Sequence, residues 1–114
     1  MDNLEKIAEQ FKQQGDKWVE AKLKSDQLEE DAKSFLAAIM NEMDTGNLSE
    51  AKLDRLARGS KPYREFVANM CSARAEMLRQ KVRYDALDKL FEAVRSKLAH
   101  ERETIKKGIF HEGR

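Results

Sequence analysis

The 114-residue chain has one cysteine, one proline and five glycines, which leaves little from which to build disulfides, Gly-rich loops or repeated turns. With Cys71 alone no internal disulfide can form. Pro62 is the only residue unable to sit inside a helix, so long uninterrupted helices are open to most of the chain. No apolar run reaches membrane-spanning length, and the start, Met1, Asp2 and Asn3, matches no targeting peptide. These absences give the expectation of a cytoplasmic protein with no membrane partner. An excess of one charge is missing too: 22 basic against 21 acidic side chains leave a net charge of +1. Whole-chain charge therefore gives no argument for nucleic-acid or membrane binding. Hydrophobic residues make up 40% of the chain and mean hydropathy is −0.79. That is enough apolar material for one small domain over residues 1–114 if its spacing concentrates it.

It does. Leu4, Phe11, Trp18, Ser25, Ala32 and Ile39 fall at one heptad position, and Ile7, Gln14, Ala21, Leu28, Phe35 and Glu42 at another. Most are apolar and the intervening residues are mainly charged or amide, so the spacing predicts an amphipathic helix over about 3–43, capped by Asp2 or Asn3. The cluster at 44–47 reads as a turn in which Gly46 takes a left-handed conformation. Ser49 then caps a short helix over about 49–57 that presents Leu53 and Leu56. Ser60 as cap, with Pro62 in the first turn, starts a third helix. From Tyr63 through Phe66, Met70, Ala73, Met77 and Gln80, and on to Ile105, residues recur at strict 3-4 spacing, which predicts a helix over about 60–107. Gly108 reads as its stop and 108–114 as a loose tail.

Two long helices joined by a short corner helix must run antiparallel, with facing residue numbers summing to about 103. The expected fold is thus all-α: a long antiparallel, coiled-coil-like helical hairpin with a corner helix. Trp18 should meet Tyr84 and Leu87, Phe11 should meet Phe91, and Phe35 should meet Phe66 and Met70. Small Ser25 should lie against Met77. On the flanks Glu29 falls beside Arg74 and Lys24 beside Glu76, while Lys22 beside Lys81 is unfavourable.

Apolar residues off the seam divide into two groups. Leu36, Met40, Met43 and Val67, near the corner, are expected to be buried by Leu48, Leu53 and Leu56 of the short helix. Cys71, Ala75, Leu78 and Val82 form a second stripe on helix 3, with Val19 and Leu23 alongside, and no local element remains to cover it. An unpartnered apolar stripe on a thin hairpin points to self-association, here a homodimer with a four-helix core.

Chemistry-bearing patterns are sparse. His100 with Glu103 is an i, i+3 pair and His111 precedes Glu112, but a carboxylate-bridged metal site in a helical bundle needs Glu-x-x-His on two helices. Cys71 has no neighbouring histidine and reads as a buried packing thiol. Gln80 and Glu101 on the seam read as register-setting polar groups, near a helix end or opposite Gln14, Glu20 or Arg83. No phosphate loop, nucleophile–histidine–carboxylate arrangement or zinc spacing occurs, so neither catalytic residues nor a metal or other cofactor are expected.

Charge is uneven along the chain: residues 1–58 carry 9 basic and 13 acidic side chains, and residues 59–114 carry 13 and 8. An acidic helix packed beside a basic one explains most of this. The end of helix 3, with Arg95, Lys97, Arg102, Lys106 and Lys107, passes beyond the start of helix 1 and lacks that compensation. It is the candidate contact for an anionic partner, either nucleic acid or an acidic protein.

The run KVRYDALDKLFEAVRS at 81–96, followed by HERE at 100–103, resembles the last helix of small helical accessory proteins encoded by bacteriophages, over residues 60–107. The resemblance implies a cytoplasmic binding protein acting on a host or phage partner, and it transfers no site residues. A secreted WxG-type hairpin is excluded, because Trp18 lies within the first helix and the turn at Gly46 has no Trp. The functional expectation is a non-enzymatic protein–protein interaction or assembly protein. The alternative is a protein that binds nucleic acid, or inhibits a nucleic-acid enzyme, through the basic end of helix 3.

Overall fold

The computed structural model describes residues 3–112, with side chains through Gly108. Its described residues form three helices and no strand: α1 (Asn3–Met43), α2 (Glu50–Arg58) and α3 (Lys61–Glu112). The all-α hairpin expected from the two seams is the fold observed. Helix α1 already includes Asn3, and Asp2, the other expected cap, lies outside the described residues.

Punctuation follows local chemistry. Gly46 takes a positive φ of 86°, which a Cβ would penalise, and its N–H donates to the Asp44 side chain at 2.9 Å. Ser49 Oγ accepts from the Lys52 N–H at 3.2 Å and caps α2. Ser60 Oγ accepts from the Tyr63 N–H at 3.4 Å and donates to the Ala57 carbonyl at 2.6 Å, so one hydroxyl ties the end of α2 to the start of α3. The expected stop at Gly108 is not a stop, since α3 continues to Glu112. A single glycine costs a helix only about 1 kcal/mol relative to alanine, and no proline follows to enforce the break.

Packing divides the chain into two units: unit 1 is 1–18 with 80–114, and unit 2 is 19–79. In unit 2 the start of α3 runs antiparallel to the end of α1. Phe35 and Phe66 stack with centroids 4.6 Å apart, and Arg74 Nε donates to Glu29 Oε1 at 3.0 Å. Both contacts lie close to the expected register. Ser25 is fully buried at its seam position, and Met77 on α3 is half-buried. The unit's hydrophobic centre is Leu36, Ile39 and Ala57, ringed by Phe35, Met40, Met43 and Tyr63. Helix α2 therefore inserts Leu53 and Ala57, not Leu53 and Leu56; Leu56 stays about half exposed. Ala57 has no exposed surface, and its small side chain brings the α2 backbone against α1, turning Leu56 outward.

Unit 1 is held differently. Among its described residues no apolar side chain is fully buried, and the one buried side chain is Gln14. Its seam is aromatic. The Tyr84 ring sits edge-on to Phe11 at 4.6 Å and 5.2 Å from Trp18, and Phe11 lies 6.0 Å from Phe91. Gly15 makes room for this cluster, because a Cβ there would lie 3.2 Å from Tyr84 Cε2. The Trp18 indole nitrogen is buried without a hydrogen-bond partner. Near the α1 start, Leu4, Ile7, Val94 and Leu98 continue the seam half-buried, whereas Glu101 and Ile105 are exposed.

Candidate interaction surfaces

Five of the six residues expected to form a self-association stripe belong to unit 2. Val19 (52% exposed) and Leu23 (64%) project from α1 and Leu78 (51%) from α3. Ala75 is half-buried between exposed neighbours. Cys71 is free and exposed, which corrects its reading as a buried packing thiol: it occupies an outward position on α3 that none of the described residues covers. These residues lie on the side of the hairpin that carries the Glu29–Arg74 bridge, since heptad order sets Arg74 between the seam and Cys71 or Leu78. Val82 belongs to unit 1, where it is 68% exposed.

Electrostatics on this side of unit 2 are locally neutralised. Arg74 reaches Glu29 through both Nε and Nη2. The hydrogen bond to Glu29, and then its charge, raise the pKa of the guanidinium. Lys22 pairs with Asp26 one turn on at 2.8 Å, and that hydrogen bond likewise raises the pKa of the ammonium. On the opposite side, Lys24 and Glu76 line one groove with Ala21, Leu28 and Ala73. Glu76 accepts there from Arg79 at 2.9 Å.

The distal cations of α3 do not form a single patch. Successive helical residues turn by about 100°, so Arg95, Arg102 and Lys106 share one face while Lys97 and Lys107 lie on another. Arg95 packs over the Phe91 ring at 5.7 Å. Lys97 lines a groove with Lys6 and Gln10 of α1. None of the five takes part in an ion pair among the described residues.

The structure also separates the residues weighed for chemistry. His100 is exposed, and its backbone carbonyl accepts from the Thr104 hydroxyl at 3.0 Å. Side chains of His111 and Glu112 lie outside those described. Of the partners open to the seam glutamine, Gln80 meets Gln14, whose side-chain amide donates to both its backbone carbonyl and its side-chain oxygen. Among the described residues no group of three or more His, Cys, Asp or Glu could hold a metal ion. No helix there is long and apolar enough to cross a membrane.

Sequence reasoning missed the sidedness of charge in unit 1. The side of the hairpin bearing Lys6, Lys17, Arg83, Lys97 and Lys107 has no carboxylate at its outward heptad positions. The signal was in the heptads, but it appears only when α1 and α3 are assigned to a common side. No family model, curated protein or solved structure matches this chain, so its functional reading rests on these surfaces.

Proposed function

We propose that this chain is a non-enzymatic interaction protein that self-associates through the unit 2 face of Val19, Leu23, Cys71, Ala75 and Leu78, two copies building a four-helix core. The carrying observation is that Val19, Leu23 and Leu78 are all more than half exposed at positions that none of the described residues covers. A single free thiol suits a reducing compartment such as the cytoplasm.

Nucleic-acid binding by the end of α3 finds less support. The five cations do not share a face, and Glu92 and Glu103 flank the one that holds Arg95 and Arg102.

Sedimentation velocity at micromolar concentration tests the proposal. The expected result is a dimer that Leu78→Asp or Leu23→Glu converts to a monomer with its helical circular-dichroism signal retained. A wild-type monomer whose stability is unchanged by Leu78→Asp would overturn it.

A further inference from the structure

We propose that the carboxylate-free side of unit 1 docks an acidic amphipathic helix from a protein partner. Heptad positions place Lys6 and Lys17 of α1 on this side, together with Arg83, Lys97 and Lys107 of α3, and all five are exposed. Between them stand amides and small or apolar residues. The unit's other described carboxylates, Glu9, Asp88 and Glu92 among them, project from the remaining faces. Glu101, at a seam position, borders this side within the groove, and Glu9, Asp16 and Glu103 stand at the back positions next to it.

Shape and polarity agree with the charge. A groove of about 590 Å³ has Leu4, Ile7, Val94 and Leu98 as its apolar floor, with Lys6 and Lys97 on its rims. Further along α1, Gln10, Gln13 and Lys17 line a second groove with Leu87. Ala86, Leu90 and Ala93 are exposed at 4-3 spacing between Arg83 and Lys97, so α3 carries a second, short apolar seam turned away from α1. Alanine on either side of a leucine lets a third helix approach closely and leaves the leucine as its knob.

An apolar strip bounded by cations suits a helix with apolar residues at i, i+3 or i+4 and i+7 and Asp or Glu on its flanks. Duplex nucleic acid is a poorer match. Arg83 to Lys107 spans about 36 Å of helix, along which a duplex presents a phosphate every ~1.7 Å. The strip between the cations is apolar, and among the described residues it offers no exposed aromatic ring for base stacking.

The test uses the full chain and a fluorescently labelled helical peptide of about three heptads, with Leu at the seam positions and Glu elsewhere. Anisotropy should show saturable binding at physiological salt, absent for the same peptide with Lys in place of Glu. The double variant Lys6→Glu/Lys97→Glu should weaken binding at least about tenfold, as should Leu90→Glu, with helicity preserved. Arg95→Glu/Arg102→Glu, on the other face, should leave it unchanged. No saturable binding, or equal loss from the Arg95/Arg102 variant, would overturn the proposal. Preferential binding of a DNA duplex, abolished by Lys6→Glu/Lys97→Glu, would overturn it in favour of nucleic acid. Leu78→Asp should keep peptide binding, which separates this surface from the self-association face.

Discussion

Across the seam of unit 1, the side-chain amide nitrogen of Gln14 donates to the Gln80 side-chain oxygen at 2.6 Å and to the Gln80 backbone carbonyl at 3.0 Å. Gln14 is the buried side chain of a unit otherwise held by half-buried aromatics. A buried amide is tolerable only when its partner is in register, so the pair penalises any slip of α1 along α3.

Replacing one member should therefore cost more than replacing both. Gln14→Leu alone is expected to destabilise by about 1–3 kcal/mol, because it removes the donor that Gln80 accepts from. Gln14→Leu/Gln80→Leu should recover most of that loss. Thermal unfolding followed by circular dichroism measures both; a double variant worse than the single would contradict the register argument.

Two glycines within helices should respond in opposite directions. Alanine at Gly108 meets nothing within 4 Å and should gain up to about 1 kcal/mol of helix stability. At Gly15 the same substitution places a Cβ 3.2 Å from a Tyr84 ring that Phe11 and Trp18 hold from either side. The ring cannot yield freely, so Gly15→Ala should be destabilising despite its better helix propensity. Chemical denaturation of the two variants in parallel decides whether contact or propensity dominates.

Ala57 marks the closest approach of α2 to the hydrophobic centre of unit 2. Enlarging it to Leu should cost about 1–3 kcal/mol by overpacking, whereas Leu56→Ala, at a half-exposed position, should cost under about 1 kcal/mol. Equal costs would mean that α2 docks through both side chains.

The Glu29–Arg74 bridge spans α1 and α3, with both side chains about half exposed. A double-mutant cycle with Glu29→Gln and Arg74→Gln should give a small favourable coupling, because solvent screens an exposed pair. Repeating the cycle in 1 M salt should abolish most of it, because screening shortens the Debye length to about 3 Å. A coupling insensitive to salt would show that shape, not charge, joins these side chains.

Much of this architecture was legible in the heptads. The seam from Leu4 to Ile39 and its partner from Tyr63 to Leu98 are buried or half-buried as their spacing requires. Phe11/Phe91, Trp18/Tyr84 and Phe35/Phe66 all come together. Period and polarity suffice for such features because a helix converts sequence spacing directly into a face. The turn at Gly46 and the caps at Ser49 and Ser60 were legible for a similar reason: their chemistry is contained within a few neighbouring residues.

By itself, then, the sequence determined three helices, two matching seams and an antiparallel pairing. Tertiary structure decided what depends on a second surface. It decided that Ala57 and not Leu56 enters the centre, because close packing selects the side chain that lets the backbone approach. It decided that Cys71 is exposed, because burial depends on what lies above a residue and not on the apolar character of its stripe. It also joined Lys97 and Lys107, which helical spacing alone parts from Arg95 and Arg102, to Lys6 and Lys17. Charge counted along a chain is one-dimensional, whereas a partner meets the side that two helices make together.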